Sequence, residues 1–389
     1  MGITGRLMLA TLLSLPVAAA EAPIDHKIPP GYEPGAGADE LGIWMEVDNI
    51  EKGLRESALL VSDPHLNNYV IGLACRVAGD YCKDIRVYLI RNPGFNASMM
   101  PNGAMQVWTG MLTRTRSRDE LAAVIGHEIG HYTRLHTLER HRKLKKSMSA
   151  SSFVDLGIAV ATGISLPVAS VSAMLNALAF SREQESEADV LGARLLADAA
   201  LDPHAAYSVW RGLMDEEAAA AVKRDEPGLF TRTHPDPAQR ADELEQWVTE
   251  RFGPRDRDMY PDHEHVEMLN RHYAFLMEDQ IDTNRFGRTE EMLNRHLAMG
   301  VEPGLVRYYF GEMFRQRGGE GDAQRAINAY RHALESDAPP ADAHRNLGYL
   351  LLKQDDLLQA QTHFQRYLEL KPDASDRSMI EYYLEEEAG

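Results

Sequence analysis

Apolar and polar positions divide the chain into a mixed first part and a helical second part. Residues 40–78 carry apolar positions at spacings of three and four, which predicts helices, whereas Ile85-Arg86-Val87-Tyr88-Leu89-Ile90 is dense in β-branched and aromatic residues and predicts a strand. Residues 95–100 and 104–109 flank Pro101-Asn102-Gly103, and Asn-Gly tolerates the positive φ of a tight turn, so this stretch predicts a hairpin. Ser117 with Glu120 has the spacing of a capping box, and Leu121, Val124, Ile125 and Ile129 continue at helical spacing, predicting one long helix toward Lys145. Residues 153–180 are strongly apolar but broken by Gly157, Gly163 and Pro167. Each piece is shorter than the ~17 residues a membrane span needs, so a buried helical hairpin is expected, with membrane contact through 153–180 as the other reading. Another helix is expected over residues 182–199.

Gly253-Pro254-Arg255-Asp256-Arg257 turns the composition charged and turn-forming, which marks a linker over 253–265. Beyond it, Gly348, Ala360, Phe364 and Pro372 occupy the small, small, aromatic and terminal-proline positions of a helix-turn-helix repeat of about 34 residues. Ala326 and Tyr330 lie 34 residues before Ala360 and Phe364, and Gly311 lies 37 before Gly348, an offset that extra residues in Gly318-Gly319-Glu320-Gly321 explain. Residues 266–389 thus resemble tetratricopeptide repeats, whose stacked pairs present a concave groove suited to peptide or protein binding.

The 389 residues suit two domains plus an export segment. Arg6, an apolar run over 7–17 and Ala18-Ala19-Ala20 read as a signal peptide over 1–20, cleaved near Ala20, with an exposed Pro/Gly-rich lead-in over 21–38. Asp plus Glu number 59 against 41 Lys plus Arg, a formal charge of -18 that repels phosphate backbones, so no nucleic acid is expected as partner. Cys75 and Cys82 are the sole cysteines. On one continuous helix they would stand about 10 Å apart and could not be bridged, but a turn at Gly79-Asp80 would let them pair; a disulfide and two separate thiols both remain open.

His127-Glu128-Ile129-Gly130-His131 places two imidazoles one helical turn apart on one face, able to reach a single ion, with Glu128 between them. Neutral imidazole suits Zn²⁺, and a carboxylate beside bound water can take its proton as the water attacks a carbonyl. A third His six residues beyond His131 would be needed for a metzincin, but that position is Thr137. Residues 181–189 instead supply Glu185 and Asp189 four apart on one helix face. Two His and Glu185 leave one tetrahedral position for water, and Asp189 can orient a ligand imidazole from behind. Glu187 points to another face and is expected to be structural; His136 and His141 fall off the ligand stripe and are expected at the surface.

The H-E-x-x-H pattern, the S-R-x-x-E-x-E-A-D run from Ser181 to Asp189, and Thr233-His234-Pro235 with Arg240 together resemble metallopeptidase family forty-eight, which includes HtpX and the CAAX prenyl proteases. With an export segment and repeats, the chain is most similar to the soluble periplasmic, β-barrel assembly-enhancing (BepA-type) branch. The resemblance implies one Zn²⁺ per chain held by His127, His131 and Glu185, with Asp189 behind them and Glu128, His234 and Arg240 as catalytic residues. His234 would stabilise an oxyanion or fill the open metal position at rest. It also implies a substrate-aligning edge strand around residues 103–110. The expected fold is mainly α (α+β): a zincin-like catalytic domain with a small β-sheet over 39–252, then an α-solenoid of repeats. The expected function is an envelope endopeptidase acting on unfolded or misassembled proteins, with the outer-membrane assembly machinery as a further expected partner, or a chaperone-like adaptor with a latched protease.

Overall fold

A computed structural model describes residues 26–36, 39–147, 179–220, 229–235, 237–255 and 262–385. The expected export segment and residues 153–178 of the apolar insert lie outside the described residues. The helical spacing of 40–78 becomes α1 (Asp39–Arg55) and α2 (Pro64–Ala78). Asp63 caps α2, its carboxylate accepting the Leu66 amide at 2.9 Å, and Pro64 stands in the first turn where a missing N–H costs little. Gly79, at φ +55, ends α2 and opens a 3-10 turn (Gly79–Asp84) that folds Cys82 back onto Cys75. The two Cα atoms are 4.6 Å apart and the sulfurs are bonded, so the turn decides between the two cysteine readings.

Strands β1 (Arg86–Ile90), β2 (Ala97–Met99) and β3 (Ala104–Trp108) form a sheet in the order β1-β3-β2. β3 is parallel to β1 and antiparallel to β2, and Gly103, at φ +86, makes the expected hairpin turn. The edge-strand expectation for 103–110 is corrected here. β3 is central and buried along its whole length, and the strand at the sheet margin beside the site is β2.

After α3 (Gly110–Arg114), Ser117 caps α4 (Arg118–Thr133) by accepting the Glu120 amide at 3.2 Å. The helix expected to reach Lys145 stops at Thr133. Leu135, at φ +64, redirects the chain into α5 (His136–Ser147) and folds His136 back over His131. Helix α6 (Arg182–Asp198) lies against α4 through small residues: a Cβ on Gly130 would stand 3.1 Å from the Ala188 carbonyl oxygen, and one on Gly192 2.9 Å from the His127 nitrogen. This close approach sets the acidic face of α6 beside the histidine face of α4.

Helices α7 (Ala205–Ala218), α8 (Leu229–Thr233) and α9 (Pro237–Phe252) complete this part. Packing continues across 253–265, because one apolar core includes residues from Ile28 to Met313 and takes in α10 (His263–Asp282), α11 (Phe286–Met299) and α12 (Pro303–Arg317). The lead-in, expected to be exposed, is pinned by Ile28, which is buried with its carbonyl accepting the Tyr81 hydroxyl at 2.6 Å. A further core spans α13 (Asp322–Leu334), α14 (Ala341–Leu352), α15 (Leu357–Leu370) and α16 (Arg377–Glu385). A Cβ on Gly311 would lie 2.3 Å from the Tyr330 ring, and one on Gly348 2.6 Å from that of Phe364. The described residues are therefore mainly helical with one small sheet. No helix among them is long and apolar enough to cross a membrane.

Candidate active site

The residues singled out in the sequence, His127, Glu128, His131, Glu185, Asp189, His234 and Arg240, converge between α4, α6 and α9, each 4% exposed or less. His127 and His131 bring their Nε2 atoms to 3.0 Å from one another. Glu185 sets its carboxylate oxygens 3.6 Å from each of these nitrogens. His234 follows α8 and is held there by its amide donating to the Phe230 carbonyl at 2.8 Å. Its Nδ1 lies 2.9 Å from Glu185 Oε1 and 3.3 Å from His127 Nε2. One ligand atom from each of His127, His131, Glu185 and His234 lies within 4.8 Å of the others.

The hydrogen bonds behind the histidines decide where their protons sit. Asp189 Oδ1 is 2.9 Å from His127 Nδ1; a carboxylate only accepts, so in the neutral ring this ion-pair contact favours the proton on Nδ1 and the lone pair on Nε2. Glu187 Oε2 is 2.9 Å from His136 Nε2, which leaves His136 Nδ1 as the acceptor for His131 Nδ1 at 3.1 Å. His131 Nε2 is then also a lone pair. Two buried lone pairs converge with no proton to bridge them, which repels unless a cation lies between. Ligand atoms around a tetrahedral ion with bonds near 2.0–2.1 Å stand about 3.3 Å apart, so the donor set fits a divalent cation in spacing and chemistry.

Charge is arranged to hold those donors in place. Arg240 Nη1 meets Glu185 Oε2 at 2.5 Å, while its Nε and Nη2 bind both Asp189 oxygens at 2.8 and 2.7 Å. Burial pushes the Asp189 carboxyl upward, but Arg240 and His127 outweigh it and hold the group well below its ordinary range. Burial pushes Glu185 up to about 7 and Glu128 up to about 8, close to neutrality as suits a proton acceptor. Burial, with the neighbouring imidazoles, holds His131 and His234 well below their usual values, in the neutral form a metal needs. Glu128 faces the β2 margin, where the Met99 backbone amide favours its ionised form against the larger effect of burial, and Glu128 Oε1 is buried without a hydrogen-bond partner.

Several residues of the site escaped the sequence reading. His136 and His141, expected at the surface, are 2% and 8% exposed. Glu187 accepts from His136 and pairs with Arg134, so it backs His131 through His136. Phe180 stacks on His131 at 3.7 Å between ring centres, and the Arg140 guanidinium lies over the Phe180 ring at 4.3 Å from its centre. Phe230 stacks on His234 and on Trp210, and Arg240 lies over the Trp210 ring. None of these aromatics has a distinctive spacing. His136 alone left a signal, since it follows His131 by five residues, but an unbroken helix would have pointed it elsewhere.

Replacing His136 with Phe removes the acceptor that fixes the His131 tautomer. The expected result is metal affinity lower by roughly 10–100-fold, read by chelator competition. Unchanged affinity would mean that His131 is oriented by packing alone.

Comparison with known proteins follows the same region. The model of Peptidase family M48 matches residues 58–248. The mitochondrial metalloendopeptidase OMA1 of Schizosaccharomyces pombe is 34% identical over 167 residues, 42% of this chain and 47% of that protein. The beta-barrel assembly-enhancing protease of Escherichia coli (strain K12) is 27% identical over 212 residues, 51% of this chain and 42% of the relative. That of Yersinia pestis is 28% identical over 257 residues, 60% of this chain and 51% of the relative. The chain thus spans about half the length of the relatives it matches.

Proposed function

This chain belongs to peptidase family M48 through residues 58–248, which form a metallopeptidase domain, and on that premise we propose that it is a zinc-dependent endopeptidase of the cell envelope. Its substrates are unfolded or misassembled envelope proteins, outer-membrane proteins among them. The observation that carries the reading is the convergence of two unprotonated Nε2 atoms and the Glu185 carboxylate beside Glu128.

His127, His131 and Glu185 would hold one Zn²⁺ per chain, which supplies a Lewis acid that acidifies water and polarises a carbonyl. Glu128 accepts the proton of the attacking water and returns it to the leaving amine. His234 Nε2, 3.6 Å from Glu128 Oε1, faces the same space and stabilises charge on the reacting oxygen. Asp189 orients His127, and Arg240 holds Asp189 and Glu185 together. An extended peptide added to the β2 margin gains main-chain hydrogen bonds whatever its side chains, so selection rests on the substrate being unfolded.

A periplasmic location agrees with the signal-like residues 1–20 and with the Cys75–Cys82 bond, which persists in oxidising compartments. The glycine-aromatic pairs Gly311–Tyr330 and Gly348–Phe364 support a tetratricopeptide-like array, a surface for clients and for the outer-membrane assembly machinery. The purified chain is expected to cut a polypeptide in its unfolded form and spare the same polypeptide folded. Equal cutting of both would count against selection by exposure.

The third ligand has its own test. Zinc content near one ion per peptidase site in the wild type is expected to fall to a small fraction in Glu185→Ala, because two neutral imidazoles alone give a weak site. Equal zinc in both would move the ligand elsewhere.

His234 favours a second reading. Its Nδ1 stands inside the ligating group, where it would close the position that water needs, so the chain would act mainly as an adaptor through its helical repeats with the protease latched. Envelope complementation by Glu128→Gln separates the readings: rescue favours the adaptor, and failure despite normal protein levels favours proteolysis.

A further inference from the structure

A second group of potential ligands lies away from the peptidase site. His65, in the first turn of α2, directs Nδ1 toward Nε2 of His272 on α10 at 3.2 Å. That Nε2 stands 3.8 Å from Oδ1 of Asp63, the residue that caps α2. One ligand atom from each of the three lies within 4.8 Å of the others. The His272 side chain is 8% exposed and that of Asp63 41%, so the group is closed to water at His272 and open to it at Asp63.

We propose that Asp63, His65 and His272 form a second divalent-cation site, of the two-histidine, one-carboxylate class that takes zinc, and that the bound ion clips α2 to α10. Two nitrogens at 3.2 Å stand at the spacing of neighbouring ligands on a tetrahedral ion, about 3.3 Å, and the carboxylate needs to close by only about half an ångström. Imidazole nitrogen and carboxylate oxygen are the donors zinc prefers, and the open side leaves the fourth position to water.

The ligands join distant parts of the chain. His65 lies inside the family-matched stretch 58–248, whereas His272 lies 207 residues further on and outside it. A cation held by both would add to the packing of α10 on the peptidase part without taking part in catalysis. The simpler arrangement of the same atoms is one N–H···N hydrogen bond between the rings, which needs no ion. Metal content tells the two apart.

Full-length wild type and His65→Ala, each equilibrated with zinc at the same buffered free concentration, are compared for bound zinc per chain. His65→Ala is expected to hold about one ion fewer while cleaving an unfolded polypeptide at the wild-type rate. His272→Ala should lose the same ion; because that ring is buried, the half-exposed His65 is the primary variant. Asp63→Asn keeps an oxygen able to cap α2 but removes the negative charge, so affinity at this site should fall at least about tenfold while the helix stays intact. Equal zinc in wild type and both histidine variants would overturn the site. Because the comparison is a difference between chains sharing an unaltered peptidase centre, it reads independently of whether that centre is loaded.

Discussion

Glu128→Gln is expected to lower cleavage of an unfolded polypeptide by roughly 10²–10⁴-fold while leaving zinc content unchanged. Gln has the size of Glu and occupies the same buried place, but its amide does not take up a proton near neutral pH. Glu128 is not one of the four residues whose ligand atoms converge, so the grip on the ion should persist. Burial pushes its carboxyl up to about 8, a value that favours accepting and releasing a proton near neutrality. Paired measurements of zinc content and single-turnover cleavage decide the matter. Cleavage at the wild-type rate would remove Glu128 as the base, and loss of zinc would make it a ligand.

Arg240→Met should destabilise the chain by about 3–5 kcal/mol, the usual cost of stranding a buried charge. Arg240 is 3% exposed and binds both oxygens of Asp189 and one of Glu185, so removing it leaves two carboxylates close together without their cation. Asp189 is held well below its ordinary pKa, and without Arg240 it must protonate or carry an unpaired charge, either way loosening its hold on His127. Urea unfolding of the metal-stripped chain provides the measure. The double variant Arg240→Met with Asp189→Asn should recover part of the loss, because the stranded charge is gone and an amide oxygen still accepts from His127. An equal loss in single and double variants would show that the penalty comes from packing against Trp210 instead.

The site was legible wherever one helix carried its own geometry. His127, Glu128 and His131 share a turn of α4, and Glu185 and Asp189 share a face of α6, so helical periodicity alone grouped each set. The glycine-aromatic repeat was legible for a similar reason: a small residue and a ring recur together because one must make room for the other. His136 was misread because its role depends on a break. Leu135 in the left-handed region turns α5 back across α4, and no propensity of Thr133-Arg134-Leu135 announces it. The strand at the site was misread because pairing order is a long-range property. β3 pairs with β1 in parallel past the intervening strand β2, which leaves β2 at the margin.

By itself the sequence grouped the side chains that converge at the candidate site and the helix that presents each, since residue type and local spacing are properties of a few consecutive residues. Tertiary structure alone decided which lone pairs meet, which buried charge answers which, and that His65 finds His272. Those outcomes depend on how helices distant in sequence pack against one another and on water being excluded between them. Neither condition is written in any single segment.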